Sequence, residues 1–500
     1  MDPSPPARPK ASLFASPRLF VLLVAVMVIG YSGFLRRYTS PYAGGSDSSG
    51  YLNSAALLLD GRLTTPKPVL PGHTAEEFGI GAHVPLGFLT RAGTDEMSPT
   101  YPLGLPLHLA AFSWIAGLDW ATIPLNICTA LAGGGLLYLL ARRLGLPPAW
   151  SLAGALLLLL CPLYLFAATQ PMSDLLASVW SLATLYAALR ARENRAWALA
   201  CGIALAWAVL VRPTDLLLVA PVALALGLAW RSYLWVGLGG LPGALLLAAY
   251  NHQIYGSLFI TGYGDVWSAF SREFAAHNLP FFALWIPGLL TPLVLAALAA
   301  PFLPAGRRRE LGVLGVWAAV LIGFYSFYYH SGETWWYLRF ILPAFPALVL
   351  AALVVLHSLL AAIPGRKFIA GLLLAAGLAW ELVQVDRLQL LLNKSGEATY
   401  FDASAWARHH LPANAAIICM QVSGALHYYT GFLVIRWEQV TADDLLRLGQ
   451  ALHDLHRPVY AVLYDFEETE ARQRIGGRWT KITRIRNVTV WQVEPAPATP

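Results

Sequence analysis

The sequence predicts a polytopic α-helical membrane protein of about eleven transmembrane helices, followed by a C-terminal extracytoplasmic α/β domain. Three observations carry this expectation. Of the 500 residues, 57% are hydrophobic and 12% charged, with a mean hydropathy of +0.56. Soluble domains carry about 25% charged residues, so lipid must cover much of this chain. Apolar runs near the bilayer-crossing length recur along it, and basic residues mark alternate ends of those runs.

Residues 1–17 are rich in Pro and Ser and read as a disordered cytoplasmic N-terminus. Arg18 then precedes an apolar run from Leu19 to Phe34. That run lacks a clear small-x-small cleavage site, which favours a retained first helix over a signal peptide. Residues 36–119 hold Gly, Pro and most of the early polar residues, and read as a large first outer loop with short interfacial helices. Ten further apolar runs centre on residues 120–140, 149–168, 175–190, 197–211, 214–230, 233–250, 281–303, 311–329, 340–361 and 368–386. Residues 18–387 thus form the membrane module.

With the N-terminus inside, the inner segments carry Arg142 and Arg143, Arg190, Arg192 and Arg195, Arg231, Arg307 to Arg309, then Arg366 and Lys367. The outer ones carry chiefly Arg212 and Arg339. This is the positive-inside pattern. An odd number of crossings places residues 388–495 outside, with 496–500 as a tail. Strand-like runs at Ala416–Gln421, Leu433–Trp437 and Val459–Tyr464 alternate there with helical patterns at Ala442–Leu455 and near Glu467–Arg474. Two further strands are expected at Thr480–Arg486 and Val488–Val493. Alternating strand and helix predict a small α/β domain.

Polar residues gathered at one membrane face are the informative ones in such a chain. Asp47 lies in Gly45-Ser46-Asp47-Ser48-Ser49-Gly50-Tyr51, after the first helix. Asp174 opens a helix in Gln170-Pro171-Met172-Ser173-Asp174. Either carboxylate can act as a base, and either reads equally as an ordinary helix cap. A Gly/Tyr-rich stretch includes His252, Tyr255, Tyr263 and Asp265, with hydrogen-bonding groups of the kind that hold a sugar; it reads also as a plain interface loop. A fourth cluster runs from Tyr328 to Phe340 and includes His330, Glu333 and Arg339. Arg339 enters an apolar helix, so its charge needs a partner or an anionic ligand. An arginine fork suits phosphate, while an ion pair with Glu333 is the structural alternative.

The four cysteines, Cys128, Cys161, Cys201 and Cys419, have no metal-ligand spacing and read as buried and inert. No G-x-x-x-x-G-K phosphate loop or H-E-x-x-H zinc signature is present, which excludes a nucleotide-driven pump within this chain. The mild net charge of +6, concentrated at helix ends, gives no nucleic-acid surface.

In their order these features resemble the GT-C superfamily of membrane glycosyltransferases, in the branch of protein O-mannosyltransferases and lipid A aminoarabinose transferases. The matching pieces are Asp47 in the first outer loop, Tyr101-Pro102-Leu103-Gly104-Leu105-Pro106-Leu107, Met172-Ser173-Asp174, and Arg339-Phe340-Ile341-Leu342-Pro343-Ala344-Phe345-Pro346. They span residues 45–350, about three-fifths of the chain. The resemblance implies a polyprenyl-phosphate-linked sugar donor, inversion at the anomeric carbon, and a base in the first loop. It implies an extracytoplasmic glycan, lipid or protein as acceptor, and in many members a divalent cation such as Mg or Mn, though no ligand set here demands one. Many relatives place a second acidic residue directly after the first-loop Asp, and here that position is Ser48.

The expected roles follow. A lipid-phosphate sugar already has a good leaving group, so a single displacement needs one base and groups that hold the departing phosphate. Asp47 is the expected base, and Asp174 orients the acceptor or helps bind a cation. Arg339, aided by His330, holds phosphate, while Tyr51, Tyr101, His252, Tyr263 and Glu333 line the substrate site. The competing classes are a secondary transporter or flippase, whose signs are inverted repeats and charged midplane helices, and a non-catalytic membrane scaffold.

Overall fold

The computed structural model describes residues 17–91, 93–264, 266–303 and 307–494. The expected N-terminal disorder and the 496–500 tail lie outside the described residues, as does Asp265. Each apolar run is occupied by helical chain. The first is α1 (Pro17–Tyr38). The first long loop then folds as α2 (Ser46–Leu59), a three-stranded antiparallel sheet and α3 (Gly104–Ala116). That sheet has β1 (Thr65–Pro66), β2 (Phe88–Thr90) and β3 (Glu96–Pro99) in the order β1-β3-β2. Interfacial helices were expected in this loop; the sheet was not, because its strands of two to four residues are too short to show alternation.

The membrane part continues through α4 (Thr122–Arg143), α5 (Pro148–Leu160), α6 (Pro162–Ala168), α7 (Ser173–Arg190), α8 (Arg195–Val211) and α9 (Val219–Leu226). It ends with α10 (Trp230–Tyr255), α11 (Arg272–Leu290), α12 (Arg308–Ser326), α13 (Phe345–Leu360) and α14 (Arg366–Arg387). Among the described residues, six helical segments are long and apolar enough to cross a membrane, and up to eight if each of two bent pairs is one span. This is fewer than the eleven expected. The α5–α6 run bends by 61° where Pro162 removes an N–H, and α11 bends by 111° from the 3-10 segment Pro292–Phe302. Arg195–Val211 and Pro213–Leu226 are apolar but shorter.

Two spans show what lipid must do. Only 6% of the most apolar window of α1, and likewise of α10, is buried inside the protein. Their Leu, Val and Ile side chains are therefore left uncovered by protein, an exposure that suits hydrocarbon and not water. α8 and α10 cross closely through small residues, a packing mode suited to membranes. A Cβ on Gly202 would stand 2.0 Å from the Val236 carbonyl oxygen, and one on Gly239 would stand 2.2 Å from that of Leu199. Cys161, Cys201 and Cys419 are buried as expected, but Cys128 is exposed on α4.

After α14 the chain enters α15 (Asn393–His410) and a five-stranded sheet. Its strands are β4 (Ala416–Cys419), β5 (Leu433–Arg436), β6 (Val459–Tyr464), β7 (Arg478–Ile485) and β8 (Val488–Glu494), in the order β5-β4-β6-β8-β7. β4 pairs in parallel with β5 and β6. The crossovers run through α16 (Ser423–Tyr429) and α17 (Ala442–Asp454), and α18 (Asp465–Ile475) leads to the antiparallel β7–β8 hairpin. β4 is buried along its whole length, as a central parallel strand should be.

The sheet docks onto this first long loop. Leu70, Phe78 and Ala82 of that loop share one apolar cluster with Ile418, Ile435 and Leu448. The Arg436 backbone N–H donates to the Ala82 carbonyl at 2.7 Å, and Leu86 N–H donates to Ser423 Oγ at 3.0 Å. Asn53 Nδ2 donates to the Gly424 carbonyl at 3.1 Å. The C-terminal region is therefore held against α2, the helix that carries Asp47, through α16.

Candidate functional site

Asp47 sits in the first turn of α2, where the helix dipole favours an acid. It is not a cap: the N-cap is Gly45, and no side chain caps this end. Its Oδ2 instead accepts from Arg339 Nη1 at 2.7 Å, and Tyr101 also hydrogen-bonds to it. Burial works to raise the Asp47 pKa, but the Arg339 charge and these hydrogen bonds outweigh it and hold the carboxyl below its ordinary range. Asp47 is therefore ionised at neutral pH.

Arg339 lies in the 3-10 segment Trp335–Ala344, just before α13. Its Nη1 also donates to Met172 Sδ at 3.4 Å, and its guanidinium carbon stands 5.3 Å from the centroid of the Phe340 ring. Its Nε is buried and has no hydrogen-bond partner among the described residues. Glu333, the alternative ion-pair partner expected from the sequence, is taken by His330, whose Nδ1 is 2.7 Å from Glu333 Oε1. Both are partly exposed, with side-chain exposures of 29% and 43%. His330 stacks on Tyr337 at 5.2 Å, and Tyr337 in turn faces Arg339, so His330 reaches this site only through an aromatic ring.

Asp174, in the first turn of α7, is 2% exposed and pairs with Arg212 Nη2. It too is no cap, since the N-cap is Met172. Arg212 Nη1 donates to the carbonyls of Arg339 and Phe340, each at 3.2 Å, and so ties the Asp174 pair to the backbone beneath the Asp47 pair. Tyr51 Oη donates to Ser173 Oγ at 2.9 Å, linking α2 to α7. Ser46 Oγ and Tyr101 Oη share a hydrogen bond at 2.7 Å, and the rings of Tyr51 and Tyr101 lie 4.9 Å apart.

The structure thus brings together Asp47, Asp174, Tyr51, Tyr101 and Arg339. Tyr263 stands edge-on to Tyr101 at 6.4 Å but is 47% exposed. His252 is exposed on the last turn of α10, and none of these contacts involves it. Arg212 was read from the sequence only as an outer-face charge. Its position directly after an apolar run, before Pro213 and Asp215, was the available signal. Asp215 is buried, accepts from Ser181 Oγ at 3.2 Å, and leaves Oδ1 without a hydrogen-bond partner among the described residues.

These groups do not offer the donor set of a divalent cation. Asp47 and Asp174 each hold a guanidinium, and among the described residues no three His, Cys, Asp or Glu side chains converge on a metal position.

The whole chain superimposes on solved membrane glycosyltransferases. ArnT from Cupriavidus metallidurans bound to undecaprenyl phosphate matches with a TM-score of 0.61, over 95% of this chain and 98% of that one, at 14% identity. Its apo state gives a TM-score of 0.62 at 16% identity, over 94% and 97%. This chain has the fold of the GT-C glycosyltransferases. The GT-C likeness extends to the Archaeoglobus fulgidus oligosaccharyltransferase tethered to an acceptor peptide, at TM-score 0.56 and 12% identity, over 95% of this chain and 74% of that one. It extends also to the mycobacterial arabinofuranosyltransferase AftD, at 0.53 and 15%, where the match covers 96% of this chain and 40% of that longer one. No protein-family model and no curated protein matches the sequence. The GT-C fold is thus visible in the backbone at 12–16% identity, and the multi-pass membrane character goes with it.

Proposed function

We propose that the chain is a membrane glycosyltransferase of the cell envelope. It moves a sugar from a polyprenyl-phosphate donor to an extracytoplasmic acceptor by a single inverting displacement. One observation carries the reading: the Asp47 carboxylate and the Arg339 guanidinium form a pair in which Arg339 keeps an unsatisfied N–H. A buried donor without a partner costs about 1–3 kcal/mol, and a phosphate oxygen would satisfy it. The neighbour ArnT, solved with undecaprenyl phosphate, and the oligosaccharyltransferase, solved with an acceptor peptide, support donor and acceptor classes of this kind.

In the proposed reaction an acceptor hydroxyl attacks the anomeric carbon as the carbon–oxygen bond to phosphate breaks. The electron pair leaves with the polyprenyl phosphate, and Asp47 takes the hydroxyl proton. Arg339 is shared: as it turns toward the phosphate, Asp47 loses its counter-ion and becomes a stronger base. Arg212 and Asp174 hold the backbone of Arg339 in place throughout. The rival transporter reading needs ionisable groups at the midplane. Glu381 is a buried carboxyl in α14 whose oxygens have no hydrogen-bond partner among the described residues, but the convergent charges gather around Asp47.

Arg339→Lys should weaken donor use about tenfold or more, because Lys keeps the charge but loses the fork. Binding of undecaprenyl phosphate to the purified protein measures this, and unchanged affinity would leave Arg339 only its pairing with Asp47. For topology we propose eleven crossings, with the N-terminus cytoplasmic and the C-terminal sheet outside. Reporter fusions after Arg143, Arg195, Arg309 and Lys367 should then report cytoplasm, and fusions within residues 400–490 the exterior. A cytoplasmic signal from the C-terminal fusions would overturn this arrangement.

A further inference from the structure

Glu397 lies near the start of α15, the helix that follows the last membrane span. Its carboxyl group rests on the backbone of Gly44, at the entry to α2. A Cβ on residue 44 would stand 1.6 Å from Glu397 Oε2 and 2.6 Å from its carboxyl carbon, so any larger residue there would displace the carboxyl. Oε2 is buried and has no hydrogen-bond partner among the described residues. Asp47 is three residues beyond Gly44, within one turn of chain.

The charged and titratable groups around Glu397 are Asp47 from α2, Tyr429 from α16, Tyr400 on its own helix and Tyr464 at the end of β6. The hydroxyls nearby are already engaged. Tyr429 Oη accepts from Ala43 N–H at 2.9 Å, and Tyr400 Oη accepts from Gln421 Nε2 at 2.9 Å. A buried, unpaired carboxyl placed against the loop that carries the base is a group the displacement above does not use.

We propose that Glu397 is the proton store of this site: it receives the proton that Asp47 takes from the acceptor hydroxyl and releases it to water on the outer face. The proposal rests on Asp47 being the base. The proton moves from acceptor oxygen to Asp47, then to Glu397, then to solvent, while the electron pair of the broken bond stays with the phosphate. When the phosphate departs and Arg339 closes back on Asp47, the direction is downhill. Arg339 holds Asp47 below the usual carboxylate range, whereas burial, and then the Asp47 charge, push Glu397 up to about 7. Two carboxyls whose environments split their proton affinities divide acid and base work between them. Glu397 must be ionised to accept the proton, so turnover is supported above about pH 7 and fades as pH falls through that value.

The test uses the full chain in lipid nanodiscs and needs no substrate for its first arm. Infrared titration should show a buried carboxylic-acid carbonyl band with a midpoint near pH 7. The band should vanish in Glu397→Gln, and its midpoint should fall by about one pH unit in Asp47→Asn, which removes the neighbouring charge. In the second arm, transfer is read by mass spectrometry of envelope glycans from cells held at pH 6 and pH 8. Wild type should slow several-fold at pH 6; Glu397→Gln should be slower by about tenfold at both and lose the dependence; Glu397→Asp should restore it in part. Absence of the band, or a Glu397→Gln variant with wild-type rate and pH dependence, overturns the proposal. If Asp47→Asn leaves transfer intact, the Asp47 base reading fails instead.

Discussion

Asp47→Asn should lower sugar transfer by about a hundredfold or more, because a general base typically contributes 10²–10⁴ in rate. The Arg339 pair complicates this substitution in a way the sequence did not show. Asn keeps a hydrogen-bond acceptor for Arg339 but leaves that guanidinium uncompensated in a site where its side chain is only 15% exposed. Breaking such a pair costs about 3–5 kcal/mol when it is fully buried; with Asp47 at 29% exposure, solvent screens part of that. Thermal unfolding therefore has to accompany the transfer assay. The double variant Asp47→Asn/Arg339→Met removes the unpaired charge and should recover stability without recovering transfer. A folded Asp47→Asn protein that still modifies envelope glycans at a substantial rate would remove Asp47 from the mechanism. The pair itself gives stability at pH above the ordinary carboxylate range. Because the Asp47 pKa is depressed, that contribution persists through mild acid and is lost only as pH falls through the lowered value.

Arg212→Met should be the more damaging change to folding. Arg212 is 11% exposed and Asp174 2% exposed, and Arg212 also bonds two carbonyls of the Arg339 segment. Its loss strands the Asp174 charge beside buried Asp215 and should destabilise the protein by about 3–5 kcal/mol. Unfolding in detergent, followed by heat or denaturant, measures this. Adding Asp174→Asn should return a large part of the loss, since a neutral amide tolerates burial better than a carboxylate. A single Arg212→Met variant within about 1 kcal/mol of wild type would show that the pair does not hold these helices together.

Much of the membrane architecture was legible because hydropathy is a property of successive residues. Each apolar run holds helical chain, and the alternation of arginines depends only on which residues flank those runs. The count of spans was harder. Pro162 bends one run and Pro292 follows the break in another, and a proline marks a helix boundary without saying whether the chain recrosses the bilayer or bends within it. The strands β4, β5 and β6 fall in the expected runs because β-branched and aromatic residues cluster there. The sheet β1-β3-β2 escaped notice because it is held by pairing between short, distant segments.

For the candidate site, the sequence by itself singled out residue types near helix ends: Asp47 in a Gly/Ser stretch, Asp174 where a helix begins, Tyr51 and Tyr101, and Arg339 at the mouth of an apolar helix. It did so because a charge beside hydrocarbon is costly and therefore conspicuous. Only the tertiary structure decided who pairs with whom. Arg339 lies six residues from Glu333, yet its partner is Asp47, and Asp174 belongs to Arg212. His252 was named and is left exposed, whereas Glu397 went unnoticed in a polar helix and arrives against Gly44 from the far end of the chain. Charge pairing depends on distances of a few ångströms between segments far apart in the chain, and those distances are set by how the helices and the C-terminal sheet pack. Periodicity and composition describe each segment's solvent preference and carry no information about which neighbour its charges will meet.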